Sequence, residues 1–172
     1  MTDGFSDQLV ALLPRLRRFA RGLCGSAADA DDIVQAACER ALARKDQWQP
    51  GTRLDSWMFR IAQTTWLDHL RHRAVRKEDA GVDLELIAGS DVASEIEARL
   101  DLATTRRAVA KLPAEQRAVL LLVCVEGLSY RETAEILEVP MGTVMSRLAR
   151  ARMSVARMLS EPAAPTRQEI AR

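Results

Sequence analysis

Long apolar segments are absent from this 172-residue sequence. No uninterrupted apolar run approaches the roughly 18 to 20 residues that a helix needs to cross a bilayer. The first residues also lack the basic and then apolar order of a secretory signal. The sequence therefore predicts a cytoplasmic protein with no membrane insertion.

Cysteines and aromatic residues are also few. The three cysteines, Cys24, Cys38 and Cys124, show no Cys-x-x-Cys spacing, which argues against a disulfide framework or a zinc site. Buried reduced thiols are the simplest interpretation, and a redox role for Cys24, near a predicted helix end, stays open. Aromatic residues make up 4% of the chain, whereas Ala, Leu, Arg and Glu dominate. That composition favours helices, so we expect an all-α fold.

The net charge of +1 conceals strong segregation along the chain. Residues 53–77 carry six basic and two acidic side chains, whereas residues 78–101 carry eight acidic and one basic side chain. Residues 141–158 hold four arginines and no acid, which favours nucleic-acid binding over a merely solvated basic face. Two basic segments therefore flank an acidic one.

Breaks in the helical pattern divide the chain into a domain at 1–75, an acidic linker at 76–94, a domain at 95–160 and a disordered tail at 161–172. Pro14 is expected to kink the first helix or split it in two. Ser26, with Asp29 three residues later, marks the start of the second helix. We therefore expect two small helical bundles joined by a flexible linker.

The segment from Ser129 to Leu159 has the order of a helix-turn-helix. Ser129 and Glu132 can form a capping box that starts its first helix, and Pro140 prevents simple continuation of that helix. In the second helix, small and apolar residues recur on the inward side, and polar residues recur on the outward side. The outward residues are Thr143, Ser146, Arg147 and Arg150. Because arginine hydrogen-bonds guanine edges in the major groove, this side is predicted to bind DNA.

Aromatic residues stand among arginines and threonines between residues 48 and 71. Trp57 fits the apolar stripe of a helix that begins near Leu54, so we expect it to lie in the core. Trp48, Phe59 and Trp66 do not all fit that stripe. Two interpretations stay open for them: a platform for unstacked bases, or packing against neighbouring helices.

Three acids, Asp29, Asp31 and Asp32, stand at the start of the second predicted helix. Neighbouring carboxylates can chelate a divalent cation, but acids in a first helical turn are also favoured by the helix dipole. No His, Cys or Gly-rich loop stands close in sequence to complete a site. We therefore expect capping and a protein-contact surface, and we predict no catalytic residue, no metal and no cofactor.

Together these residues form a pattern that resembles the extracytoplasmic-function (group 4) RNA polymerase sigma factors, over residues 8–160. The strongest matches are the segments 29–35, 57–71, 127–130 and 139–148, in the order of that family. In the family, region 2 docks on the β′ clamp and melts the −10 element, and region 4 reads the −35 element. The string around Gly142 to Arg147 is reminiscent of α-proteobacterial stress-response members.

The resemblance implies an alternative sigma factor that binds core RNA polymerase, through its β′ clamp and β flap, and directs it to promoter DNA. It also implies that an anti-sigma factor holds the protein and that the acidic linker follows the RNA exit channel. By position it assigns Asp31, Asp32 and Gln35 to the polymerase, Trp48, Arg60, Thr64 and Arg71 to the −10 strand, and Thr143, Ser146, Arg147 and Arg150 to the −35 groove.

The sequence departs from the family pattern at three places. Gln63-Thr64 stands where Arg-Asn is common, which puts the −10 contacts in doubt, and Met145 replaces a frequent lysine. Glu138 stands where a helix-turn-helix often has glycine, so either it takes a positive φ or the turn is adjusted.

Two other functions remain open from the residues alone. One is a stand-alone, dimeric helix-turn-helix regulator whose first domain senses a signal. The other is a metal-dependent hydrolase that uses Asp29, Asp31 and Asp32.

Overall fold

The computed structural model describes residues 4–49, 51–80 and 96–160, the side chains at 76–80 and 96–101 excepted. Within these ranges the chain forms seven α-helices and no strand, so the expected all-α fold is confirmed. A 3-10 turn at Lys45–Gln47 follows the second helix, and a π-helical turn at Leu121–Val125 extends the fifth. The helices are α1 (Gly4–Cys24), α2 (Ala27–Ala43), α3 (Leu54–Ala80), α4 (Ile96–Ala110), α5 (Ala114–Leu120), α6 (Tyr130–Leu137) and α7 (Met141–Ser160).

The predicted helix starts are found at both serine caps. The Ser26 hydroxyl accepts a hydrogen bond from the Asp29 amide at 3.4 Å. The Ser129 hydroxyl accepts from the Glu132 amide at 3.2 Å, and the Glu132 carboxylate accepts from the Ser129 amide at 2.8 Å. Both reciprocal bonds of the predicted capping box are therefore present.

The first helix continues through its proline. Pro14 lies inside α1, which remains one element of 21 residues, so the helix is not split. Leu9, Leu12 and Leu16 lie on both sides of the proline and are buried along one stripe. Burial of that stripe outweighs the roughly 3 kcal/mol that an internal proline costs a helix.

Two groups of helices form the molecule. Helices α1, α2 and α3 pack against one another, and α7 packs against α4, α5 and α6. Helix α3 extends to Ala80, five residues beyond the predicted end of the first domain at 75. Residues 81–95, which hold most of the predicted linker, and the tail at 161–172 lie outside the described residues.

The two bundles also contact each other. Helix α1 packs against α4, α5 and the π-helical turn, and α3 packs against α6. Leu121, Leu122, Leu128 and Ile136 of the second bundle join the apolar cluster that fills the first bundle. A smaller cluster around Val119, Val144 and Leu148 holds α7 in place. Hydrophobic burial therefore stabilises the contact between the bundles as well as each bundle.

Arg117 on α5 stabilises this contact through hydrogen bonds to backbone carbonyl groups. Its guanidinium donates to the carbonyl oxygens of Leu23 at 2.5 Å and Leu112 at 2.8 Å, and it lies 5.5 Å from the centre of the Trp66 ring. Burial lowers the pKa of this guanidinium. Arg117 thus satisfies carbonyls near the C-terminal ends of α1 and α4 with a single charged group.

Candidate nucleic-acid interface

The predicted helix-turn-helix is present as α6, a three-residue break and α7. In the break, Glu138 adopts the left-handed conformation with φ 54° and ψ 45°, and no other described non-glycine residue has a positive φ. Its amide donates to the Ala134 carbonyl. The turn is therefore formed as glycine would form it, and the glutamate costs about 1 kcal/mol relative to glycine.

Helix α7 buries one side and exposes another. Val144, Leu148 and Ala151 are buried, as the periodicity predicted. Ser146 and Arg150 are exposed on the opposite part of the helix surface. A hydroxyl and a guanidinium are thus presented to solvent one helical turn apart.

The other two residues predicted to point outward are less accessible. Thr143 and Arg147 are both half-buried. The Arg147 Nη2 atom lies 2.5 Å from the Glu115 Oε2 atom of α5, and 21% of the arginine side chain is exposed. The predicted set of four therefore divides into an accessible pair and a partly covered pair.

A second basic surface lies on α3. Arg60, Thr64 and Arg71 are all exposed on this helix. The Thr64 hydroxyl donates to the Arg60 carbonyl at 2.9 Å, and Arg71 forms an exposed ion pair within α3. Trp48, just after the 3-10 turn, is half-buried, and its ring centre lies 5.4 Å from that of Phe5.

An open cleft of about 460 Å³ lies between this part of the first bundle and α6. Trp48, Arg53 and Arg60 form one wall, and Glu132 is part of the other. Arg53 pairs with Glu132, and Arg60 pairs with Glu138. Both arginines of the cleft are therefore neutralised by glutamates of the helix-turn-helix.

The first half of α2 carries a small polar surface. Asp31, Asp32 and Gln35 are all exposed and lie within one side of this helix. The Gln35 side-chain amide donates to Glu39 at 3.0 Å. The predicted polymerase-binding residues are thus brought together on a surface that a partner can reach.

Comparison with known proteins identifies the family. The family model "Sigma-70, region 4" matches residues 102–155, and the model "Sigma2 domain of PhyR" matches residues 9–63. The chain is 38% identical to the ECF RNA polymerase sigma factor EcfG of Rhodopseudomonas palustris over 159 residues, which is 92% of this chain and 87% of the relative. The chain belongs to the extracytoplasmic-function sigma factor family. The expected family, rather than a stand-alone regulator, is therefore confirmed.

More distant relatives of this sigma factor agree. It is 27% identical to SigW of Bacillus subtilis over 92% of the chain and 90% of the relative. It also resembles the solved structure of the sigma factor RpoE in complex with the anti-sigma factor NepR from Bartonella quintana. That match has a TM-score of 0.80 and 31% identity, and it covers 90% of this chain and 96% of the other.

The burial of the aromatic residues of the sigma factor differs in part from the prediction. Phe59 and Trp66 are buried, at 0% and 3% exposure, and Phe59 packs on Phe19 with ring centres 5.1 Å apart. Trp57, predicted to lie in the core, is only half-buried and lines the cleft. Packing against neighbouring helices, one of the two interpretations left open for Phe59 and Trp66, is therefore the arrangement found, because α1 covers the side of α3 that carries Phe59. Only the placement of Trp57 in the core was wrong.

Asp29 and Cys24, the candidates for metal and redox chemistry, have the surroundings of structural residues. Asp29 pairs with Arg73 at 3.1 Å. Among residues 4–49, 51–80 and 96–160, no three His, Cys, Asp or Glu side chains form a group that could hold a metal ion. Burial, with a smaller contribution from Asp29, raises the pKa of Cys24 to about 12. A thiol that stays protonated at neutral pH is a poor nucleophile, which argues against a redox role for Cys24.

In the described part of the sigma factor, none of the helices combines the length and apolarity that crossing a membrane requires.

Sequence reasoning missed the charged residues that connect the two bundles. Arg15 of α1 donates to Glu126 at 3.1 Å and to Asp55 at 3.2 Å. Arg53 then donates to Asp55 at 2.9 Å and pairs with Glu132. One chain of ion pairs therefore runs from α1 through the start of α3 to α6. The sequence did contain a clue to the role of Glu126, because it is the single acid in the apolar segment 119–128.

Asp55 lies at the middle of this chain. Burial alone would raise the pKa of Asp55, but hydrogen bonds from Arg53, the Ser56 amide and Arg15 hold it below its ordinary value. Because the pKa is lowered in the folded protein, the stabilisation is present above the ordinary value of 3.8 and is lost as the pH falls through the folded value. Asp55 is therefore charged at neutral pH.

Proposed function

We propose that the chain acts as a dissociable specificity subunit of RNA polymerase and directs promoter-specific transcription initiation. The observation that carries this proposal is an exposed Ser146 and Arg150 on the second helix of a helix-turn-helix, in a chain 38% identical to a sigma factor. The protein lends specificity to a polymerase that performs the chemistry, so it is not itself a catalyst. Its place of action is the cytoplasm, where the polymerase works.

Core polymerase is bound through α2. Asp31, Asp32 and Gln35 supply two carboxylates and an amide on one exposed side, which suits a basic and polar partner such as the β′ clamp. Region 4 contacts the β flap in this family, and we assign the second bundle to that contact. Asp29, at the start of the same helix, is engaged with Arg73 at 3.1 Å.

The −10 strand is held on the first bundle. The guanidinium groups of Arg60 and Arg71 suit phosphates, and the Thr64 hydroxyl lies beside them. The indole Nε1 of Trp48 is buried and has no hydrogen-bond partner among the described residues, which supports a ligand that accepts a hydrogen bond or stacks there. An aromatic ring beside cations is a combination used for unstacked single strands.

The −35 element is read by α7. Arg150 is exposed and can form the two hydrogen bonds that recognise guanine in the major groove, and Ser146 reaches phosphate or base. Arg147 and Thr143 belong to the same surface, but Arg147 must exchange Glu115 for DNA. We therefore rank Arg150 above Arg147 in its contribution to recognition.

An anti-sigma factor holds the protein inactive. The Bartonella relative, which matches over 90% of this chain, was solved in complex with the anti-sigma factor NepR. We infer that a partner of the same class binds this chain and keeps its surfaces from polymerase and promoter.

Run-off transcription with purified core polymerase tests the proposal. Addition of the chain should produce defined start sites on genomic promoter fragments, and Asp31→Asn with Asp32→Asn should reduce core binding. Asp7→Asn, which neutralises an exposed acid on α1, is the matched control and should leave core binding unchanged. Strong duplex binding without core, together with no initiation in its presence, would instead establish a stand-alone regulator.

A further inference from the structure

Met145 on α7 lies beside the residues that we assign to the −35 element but is not one of them. It is the fifth residue of α7, and it is 50% exposed to solvent although its side chain is apolar. Ser146 follows it directly in the chain. In a helix-turn-helix, the residues of the second helix that come soon after the turn are those that contact base edges. Met145 is therefore placed where a side chain can reach DNA.

Two small residues lie between Met145 and Ser146 on the surface of α7. Gly142 and Ala149 are each three or four residues away from both Met145 and Ser146, so each neighbours both on the helix surface. All four residues are exposed. Met145 and Ser146 therefore form the apolar side and the polar side of a shallow strip whose floor is Gly142 and Ala149.

The fold does not require glycine at position 142. Gly142 is not among the described glycines with a positive φ, and a Cβ atom there would project into open space. Glycine inside a helix is also less favourable than alanine. Since neither the backbone conformation nor the packing of the chain uses the missing side chain, the shallow strip suits the close approach of another molecule.

The charges around the strip match those of a nucleic acid. Arg150 lies one helical turn beyond Ser146, and Arg157 lies about two turns beyond Arg150; both are exposed. No acidic residue lies between positions 141 and 158. A duplex fits this surface better than an apolar protein groove does, because its phosphates can pair with these guanidinium groups while its bases approach the strip.

Thymine displays an apolar group in the major groove, its C5-methyl group. The unbranched and flexible side chain of methionine adapts well to such a group. We propose that Met145 is a specificity-determining residue that recognises a thymine methyl group of the −35 element, on the side of the strip opposite Ser146. The proposal rests on the assignment of α7 to the −35 element. At the position where lysine is frequent in the family, a phosphate contact is thus exchanged for a base contact.

Replacement of thymine by deoxyuridine removes the methyl group and keeps every hydrogen-bonding group of the base. Holoenzyme is assembled from the full chain and core polymerase, and its binding to a fluorescein-labelled −35 duplex is measured by anisotropy. The duplex comes from a promoter that this holoenzyme transcribes, and each thymine of either strand is replaced in turn. The wild type should lose about three- to fivefold in affinity at one thymine, as expected when one buried methyl group is removed.

Three variants assign the loss to a side chain. Met145→Ala should bind the thymine duplex three- to fivefold more weakly and should bind the deoxyuridine duplex equally well, because the same contact is lost in either case. Met145→Lys should also lose the preference for thymine, but it should increase the salt slope by about one through a new phosphate contact. Met153→Ala is the matched control, because Met153 is 65% exposed on the half of α7 far from the turn, and it should keep the wild-type preference.

The proposal would be overturned by a wild type that tolerates deoxyuridine at every position, or by a −35 element without an A·T pair. A preference for thymine that survives in Met145→Ala would also overturn it. Weaker core binding by Met145→Ala with unchanged duplex binding would assign this methionine to polymerase instead. Failure of the proposed function is distinguishable, because holoenzyme would then neither initiate at defined sites nor lose duplex affinity in Arg150→Ala.

Discussion

Substitution of Glu126 tests the contact between the bundles most directly. Its carboxylate accepts one hydrogen bond from Arg15 at 3.1 Å and two from Arg18 at 2.9 Å, and its side chain is fully buried. Glu126→Gln keeps the size of the side chain but removes its charge and one acceptor oxygen. Two arginines of α1 then lose the counter-ion that the second bundle supplies.

The loss of stability in Glu126→Gln depends on how far Glu126 and its two arginine partners are buried. Removal of one partner of a fully buried pair costs about 3 to 5 kcal/mol. Here the side chains of Arg15 and Arg18 are 36% and 52% exposed, so both can regain water, and Arg15 keeps Asp55. We therefore expect the free energy of unfolding to fall by about 2 to 3 kcal/mol. With an ordinary dependence on urea, the midpoint should fall by about 1 to 2 M.

Urea unfolding can be followed in each bundle. The three tryptophans, Trp48, Trp57 and Trp66, all lie in the first bundle, so their fluorescence reports on that bundle, whereas circular dichroism reports on all helices. The two signals should coincide in the wild type, because one apolar cluster spans both bundles, and should separate in Glu126→Gln. Glu135→Gln, in an exposed pair, should shift the midpoint little. Equal shifts in the two variants would refute the buried bridge.

Two further changes have defined outcomes. Arg150→Ala should weaken binding of holoenzyme to a −35 duplex by about 1 to 3 kcal/mol and lower the salt slope by about one, as measured by anisotropy against salt concentration. Arg147→Ala should cost less, because Glu115 already engages that guanidinium, and the reverse order would contradict the ranking. Iodoacetamide at pH 8 should modify the exposed Cys124 well before Cys24, whose pKa burial raises to about 12. Because that pKa is raised in the folded protein, the contribution of Cys24 to stability is complete below pH 9.0 and falls as the pH rises toward 12. Urea titrations of Cys24→Ala should lack this fall in stability. Rapid labelling of Cys24 in the folded protein would exclude its burial.

Local signals predicted the helices and much of the helix-turn-helix. Ser26 and Ser129 mark helix starts because their hydroxyls satisfy amides three residues away, and such short-range bonds can be read directly from sequence. The inward residues of α7, such as Val144 and Leu148, follow from periodicity alone. The accessibility of Arg147 did not follow, because Glu115 lies 32 residues away on another helix.

Helix α3 shows why burial was harder to predict there. Its apolar residues cover more than one narrow stripe, so periodicity could not separate Trp57 from Phe59 and Trp66. Neighbouring helices determine which of these aromatic residues are buried. Phe19 of α1 covers Phe59, and Arg117 of α5 lies over Trp66. Those contacts depend on how helices far apart in sequence pack together.

Glu138 shows how a local misfit carries information about distant structure. The sequence marked it as a residue that suits its turn poorly, and the left-handed backbone at φ 54° confirms the misfit. Its partner Arg60 lies 78 residues earlier, and each residue alone resembles an ordinary exposed charge, so no local pattern could join them. A residue that costs stability where it stands is explained by what its side chain contacts elsewhere, and here that contact joins the two surfaces that we assign to promoter DNA.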